Sequence, residues 1–109
     1  MPFDEGLAER IRERIEDQPG VSERRMFGGL AFLVNGNMAV GVVGDELMVR
    51  VGPDRYEEAL RAPHAGPMDF TKRPLRGFVF VAAAGFEEDE ELHRWIERGV
   101  RFAASLPRK

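Results

Sequence analysis

The stretch Arg24-Arg25-Met26-Phe27-Gly28-Gly29-Leu30-Ala31-Phe32-Leu33-Val34-Asn35-Gly36-Asn37-Met38 decides the architecture. Its first part is apolar and β-branched, and it ends in Asn35-Gly36. That dipeptide supplies the two positive-φ positions of a tight type I′ hairpin, so the chain is expected to fold straight back on itself. Gly44-Asp45 offers a second reversal a few residues on. Three antiparallel strands are therefore read near residues 24–34, 38–43 and 46–51. Two adjacent glycines, Gly28-Gly29, inside the first of them signal a bulge, a kink that admits a helix, or the close approach of another backbone.

On the N-terminal side of this block, Phe3, Leu7, Ile11 and Ile15 recur every four residues among charged neighbours. This is the period of an amphipathic helix, which Pro19-Gly20 stops. On the C-terminal side, Gly52-Pro53-Asp54 reads as a helix entrance, with a short helix near 54–61 that closes before Pro63. Ala62 to Pro67 is read as a loop, Met68 to Lys72 as a short strand and Gly77 to Ala82 as a stronger one. The acidic run Glu87 to Glu91 opens a last helix whose apolar face is Leu92, Trp95, Ile96, Gly99, Ala103 and Leu106. The expected order is α-β-β-β-α-β-β-α. This is an α+β two-layer sandwich with a mainly antiparallel five-stranded sheet and helices packed on it.

A length of 109 residues has room for one hydrophobic core, so residues 1–109 are read as a single domain. The content of 43% hydrophobic and 32% charged residues is that of a folded globular chain. No apolar run is long enough to span a bilayer, and the acidic start lacks the pattern of a signal peptide, so no membrane role and a cytoplasmic location are expected. There is no cysteine, which excludes disulfides, thiolate metal sites and cysteine nucleophiles together. The net charge of −3 is spread without a strongly basic block, which disfavours nucleic acid as a partner.

Groups that could carry chemistry are few. His64 lies in the Pro/Gly loop and His93 in the last helix, and neither stands at a metal-ligand spacing from other ligand types. The hydroxyl residues Ser22, Tyr56, Thr71 and Ser105 include none on a nucleophile turn. Five adjacent acids at Glu87 to Glu91 cannot converge from one helical turn and read as a dipole-complementing helix start. The sequence therefore implies no catalytic residue, no metal and no cofactor. What remains is a set of strand-associated cations, Arg24, Arg25, Arg50, Lys72, Arg73 and Arg76, with His64 at the rim. Were three or four of them to meet, charge-assisted hydrogen bonds would make an anion or phosphate site. The alternative is ordinary surface charge paired with acids such as Asp45, Glu46 and Asp69.

The quoted stretch also resembles the opening of the TfoX/Sxy N-terminal domain family. The resemblance rests on the Arg-x-Met-Phe-Gly-Gly element of Met26, Phe27, Gly28 and Gly29 and on the hairpin Gly36. It continues through Glu46 to Val51, Pro67 to Phe70, and the helix carrying Leu92 and Trp95. It implies the same α-β-β-β-α-β-β-α order, a regulatory role of the kind found in competence and transcription regulators, and no catalytic residues to carry over. In such regulators the domain is joined to a C-terminal helical domain, which residues 1–109 do not include, so a stand-alone domain is expected.

Three functions follow as expectations. The first is a non-enzymatic regulatory or protein-interaction module, with a protein partner or self-association as a homodimer, motivated by a sheet that helices cover on one face only. The second is a binder of a small anion or nucleotide phosphate through Arg50, Arg73 and Arg76. The third and weakest is nucleic-acid binding with Phe27 or Phe32 stacking on bases.

Overall fold

A computed structural model describes residues 3–26, 28–67 and 76–109. Helix α1 spans Glu5–Ile15. It begins where the Asp4 carboxylate accepts the free N–H groups of Gly6 and Leu7 at 2.9 and 3.2 Å, an N-cap that satisfies donors the helix itself cannot. The sheet strands are β1 (Val21–Met26), β2 (Gly29–Val34), β3 (Asn37–Val43), β4 (Glu46–Arg50), β5 (Ala65–Pro67) and β6 (Phe78–Val81). Helix α2 is the short Tyr56–Leu60, entered through a tight turn at Pro53–Arg55, and α3 is the long Asp89–Ser105.

The six strands run in the order β1-β2-β3-β4-β6-β5, each pair antiparallel. The expected architecture is found, with one strand more than the sequence suggested. The single strand read over 24–34 is two, because Met26 pairs with Gly29 and the chain reverses through Gly28 at φ 74. Gly29 serves the close approach of another backbone. A Cβ there would fall on the backbone of Val42 and Val43, so it is β3, not a helix, that approaches closely. The segment read as a loop at Ala62 to Pro67 contributes the edge strand β5, while the strand expected at Met68 to Lys72 lies outside the described residues. Pro67 is tolerated because an edge strand has one side that need not donate.

Both anticipated hairpins form. Val34 pairs with Asn37 across Asn35 and Gly36 at φ 54 and 84, both positive as a type I′ turn demands. Val43 pairs with Glu46 across Gly44-Asp45, where only the first position is positive, at φ 61, as in type II′.

Alternation along the strands sends Leu30, Phe32, Val40, Val42, Leu47, Val49, Val79 and Val81 to one face. There they form one core with Leu7, Ile11 and Ile15 of α1, Tyr56 and Ala59 of α2, and Leu92, Trp95 and Ile96 of α3. The register slips after Phe32, which pairs with Val40, since Leu33 already pairs with Met38. The slip leaves Ala39 as an extra residue, and α3 seats there. A Cβ on Gly99 would run into the Ala39 carbonyl oxygen, so only glycine lets the helix lie this close. All three helices cover the same face. The expectation that the other face is left bare does not hold at its centre: Ala31, Leu33 and Met48 point away from the helical core yet are 1, 6 and 1% exposed.

Two ties hold α1, one to the sheet and one to α3. Arg12 of α1 makes a two-pronged contact with Glu23 of β1 (Nε to Oε2 2.7 Å, Nη2 to Oε1 3.0 Å) and reaches Glu9 at 3.1 Å. These bonds to carboxylates, Glu23 first, hold the guanidinium well above its already high ordinary pKa. Arg10 donates to the Phe86 carbonyl and to Asp89 at 3.1 Å each, joining α1 to the start of α3.

Candidate functional site

The α2–α3 side of the molecule is shaped by a backbone reversal after α2. The Arg61 and Ala62 N–H groups donate to the carbonyls of Glu58 and Ala59, and Pro63 ends the helix. His64 then takes a left-handed conformation, φ 68, which a residue with a Cβ adopts only at a cost. It is held there because its carbonyl accepts the Ala82 N–H at 2.9 Å. The tight turn Ala83–Gly85 packs against it. A Cβ at Gly85 would come within 3.1 Å of the His64 Cβ and 2.6 Å of Val81 Cγ1, so the glycine is what lets the two segments close together.

Between this reversal and α3 lies a cleft of about 410 Å³. One wall is Ala62, Pro63, His64 and Gly85, and the other is α3 with Glu91, Arg94, Trp95, Glu97, Arg98 and Arg101. A second depression of about 240 Å³ continues along α3, lined by Val51, Arg55, Arg98, Arg101, Phe102 and Ser105. Arg98 and Arg101 line both, so the two depressions adjoin along α3 and are together called the trough. Its charge is unevenly spent. The Arg98 guanidinium lies 5.1 Å from the Trp95 ring and 3.1 Å from Glu58 Oε1, the same oxygen that Arg55 approaches at 3.5 Å. Arg101 pairs with Glu97 at 2.6 Å. Arg94 is exposed and has no ion pair among the described residues.

Of the cations singled out in the sequence, Arg24 and Arg25 do not gather with Arg50. Arg24 and Arg25 lie on edge strand β1, three strand spacings from Arg50 on β4, about 14 Å by ordinary sheet geometry. They also diverge. Arg25 turns to the helical side, 5.6 Å from the Phe3 ring, while Arg24 is exposed and pairs across the sheet with Ala31. Arg50 is half-buried between Phe78 and Phe102, 5.3 and 5.4 Å from the two ring centres. Burial lowers its pKa from the ordinary arginine value, and among the described residues no carboxylate compensates. Arg76 is exposed, 5.7 Å from the Tyr56 ring, and Lys72 and Arg73 lie outside the described residues. Pairing with Asp45 or Glu46 is not what holds Arg24, Arg25 or Arg50. Phe32 is 1% exposed in the core and cannot stack on a base, and Phe27 lies outside the described residues.

Among the described members of the anticipated set, His64 alone lines the cleft, and Trp95, noted for the family signature, forms part of its α3 wall at 7% exposure. Arg94, Arg98 and Arg101 were missed as a group. Their spacing of i, i+4 and i+7 was available as a signal, since it stacks them on one side of a helix. Among the described residues no group of three or more His, Cys, Asp or Glu side chains is placed to hold a metal ion. No described helix is long and apolar enough to cross a membrane.

The model of the TfoX N-terminal domain family matches residues 13–103. The chain belongs to that family. The match takes in all six strands and the lining of the larger cleft on both walls, so the cleft is a feature of this TfoX N-terminal domain and not of a flanking segment. No curated protein matches the chain.

Proposed function

We propose that this TfoX N-terminal domain is a non-enzymatic, cytoplasmic regulatory module that acts by protein interaction, and that the α2–α3 trough is its binding surface. One observation carries the reading: a row of α3 arginines stands over a floor that includes Trp95, opposite a wall held in place by the strained His64 backbone. Indole, proline and guanidinium groups recognise partners through packing and hydrogen bonds, and tryptophan and arginine are the residues on which interface energy concentrates. Capture from a cell lysate, run in parallel with the native chain and an Arg94→Glu, Arg101→Glu double variant, tests it. A protein recovered by the first and lost by the second is expected. Identical recovery by both would remove the trough as the binding surface. A second copy of the chain is one such partner, and light scattering on both forms reads it as a change in mass.

Arg50 supports a second reading, a small-anion site. A half-buried guanidinium stacked between two rings, with no carboxylate partner among the described residues, has hydrogen-bond donors to spare. Calorimetric titration with inorganic phosphate at low salt should show binding that Arg50→Glu abolishes. Unchanged affinity in a well-folded Arg50→Glu protein would sink it.

A further inference from the structure

The chemistry of the trough's occupant follows from what its walls offer, on the reading that this trough is the binding surface. Four guanidinium groups line it, from Arg55, Arg94, Arg98 and Arg101, against two carboxylates, Glu91 and Glu97. Arg55 and Arg98 share a single oxygen of Glu58. Since each guanidinium carries about five N–H donors, most of theirs are unspent among the described residues, as are all those of Arg94. The lining thus has an excess of donors and of positive charge, in a chain whose net charge is −3.

Spacing narrows the class. Along α3, Arg94 to Arg98 rises about 6 Å and Arg98 to Arg101 about 4.5 Å, and side chains two residues apart on an extended chain are separated by about 6.6 Å, a difference that long, flexible arginine side chains can span. An extended peptide laid along α3 would therefore bring every second side chain to an arginine and turn the intervening ones to the opposite wall of Ala62 and Pro63. From Arg94 to Ser105 the trough runs about 17 Å at helical rise, the length of about five extended residues. We infer that the trough binds an extended acidic segment of a partner protein, about five residues long, with carboxylates on alternate positions meeting Arg94, Arg98 and Arg101 and apolar side chains between them. A nucleic-acid strand also carries regularly spaced anions. The net negative charge of the domain and the two glutamates in the lining weigh against it.

The test uses the full chain and a fluorescein-labelled pentapeptide with glutamate at positions one, three and five and leucine at two and four, followed by anisotropy at low salt. Trp95 is the chain's only tryptophan, so its emission gives an independent report from the site. Saturable binding that weakens with salt is expected, with Arg94→Glu weakening it about tenfold and Arg94→Gln about threefold. Arg14→Glu makes the same change in net charge on the exposed outer side of α1 and should leave affinity within about twofold. Circular dichroism of each variant confirms folding. Equal losses in Arg94→Glu and Arg14→Glu would overturn the inference in favour of unspecific attraction. So would tighter binding of a five-nucleotide single strand, or equal binding of an all-glutamate peptide. Should the acidic peptide fail to bind while lysate capture still depends on Arg94 and Arg101, the inference falls and the trough remains the binding surface.

Discussion

The two sides of α3 use one helix for opposite ends. Its inner side, Leu92, Ile96, Gly99 and Ala103, is buried on the sheet and approaches β3 so closely that one position has no room for a Cβ. Its outer side carries Arg94, Arg98 and Arg101 into an open trough, where among the described residues each makes at most one ion pair, Arg98 adding its contact with the Trp95 ring. Trp95 stands between them, buried in the core yet forming part of the trough wall. The difference separates stability from recognition on a single element. Inner contacts are dry and numerous, whereas the outer charges remain solvated and cost little to keep available.

The sharpest way to break this division is at the centre of the inner side. Leu92→Ala removes a fully buried side chain and should cost about 2–5 kcal/mol in urea denaturation followed by circular dichroism. Next comes Gly99→Ala, which sets two effects against each other. Alanine gains about 1 kcal/mol of helix propensity over glycine, but the added methyl meets the Ala39 carbonyl and stands 2.7 Å from Val40 Cγ1. Overpacking should win, leaving a net loss of about 1–3 kcal/mol, and a stabilised variant would show that α3 is not seated as described.

Outer changes should register far less. Arg98→Ala loses the pair with Glu58 and the stacking on Trp95, together about 1 kcal/mol for partly exposed groups, read as a small fall in the denaturation midpoint. Arg94→Ala, with no partner to lose, should change stability by less than about 0.5 kcal/mol while weakening partner capture. A stability loss at Arg94 as large as that at Leu92 would erase the division between the two sides.

How much could be read in advance depended on the range of the interactions involved. Asn35-Gly36 and Gly44-Asp45 declared their hairpins because a turn is decided by the φ values its own residues can adopt. The four-residue recurrence of Leu7, Ile11 and Ile15 marked α1 for the same local reason. Gly28-Gly29 was ambiguous. Positive φ at Gly28 serves a reversal, whereas Gly29 serves contact with β3, and adjacency in sequence hid that these are two different demands. β5 was misread as loop because Pro63, Gly66 and Pro67 look like punctuation, and only its place at the sheet edge makes such residues acceptable in a strand.

The site was less legible than the fold. The arginines at positions 24, 25 and 50 looked like one group because all were strand residues, but strand order set β1 and β4 apart and sheet alternation turned Arg24 and Arg25 to opposite faces. The α3 arginines were not read as a site. Nothing in their own neighbourhood shows that Ala62, Pro63 and His64, some thirty residues earlier, would face them across a cleft.

By itself, then, the sequence determined the α+β class, the two tight hairpins, the buried faces of the helices and the family, all of which rest on periodicity, turn chemistry and local motif. Tertiary structure alone decided β5's place at the sheet edge, the seating of α3 on the β3 irregularity and the trough that pairs α3 with the reversal after α2. The physical reason is one of distance along the chain. Local conformational preferences are carried by neighbouring residues, whereas a concave surface exists only once segments far apart in sequence have packed and left a gap between them.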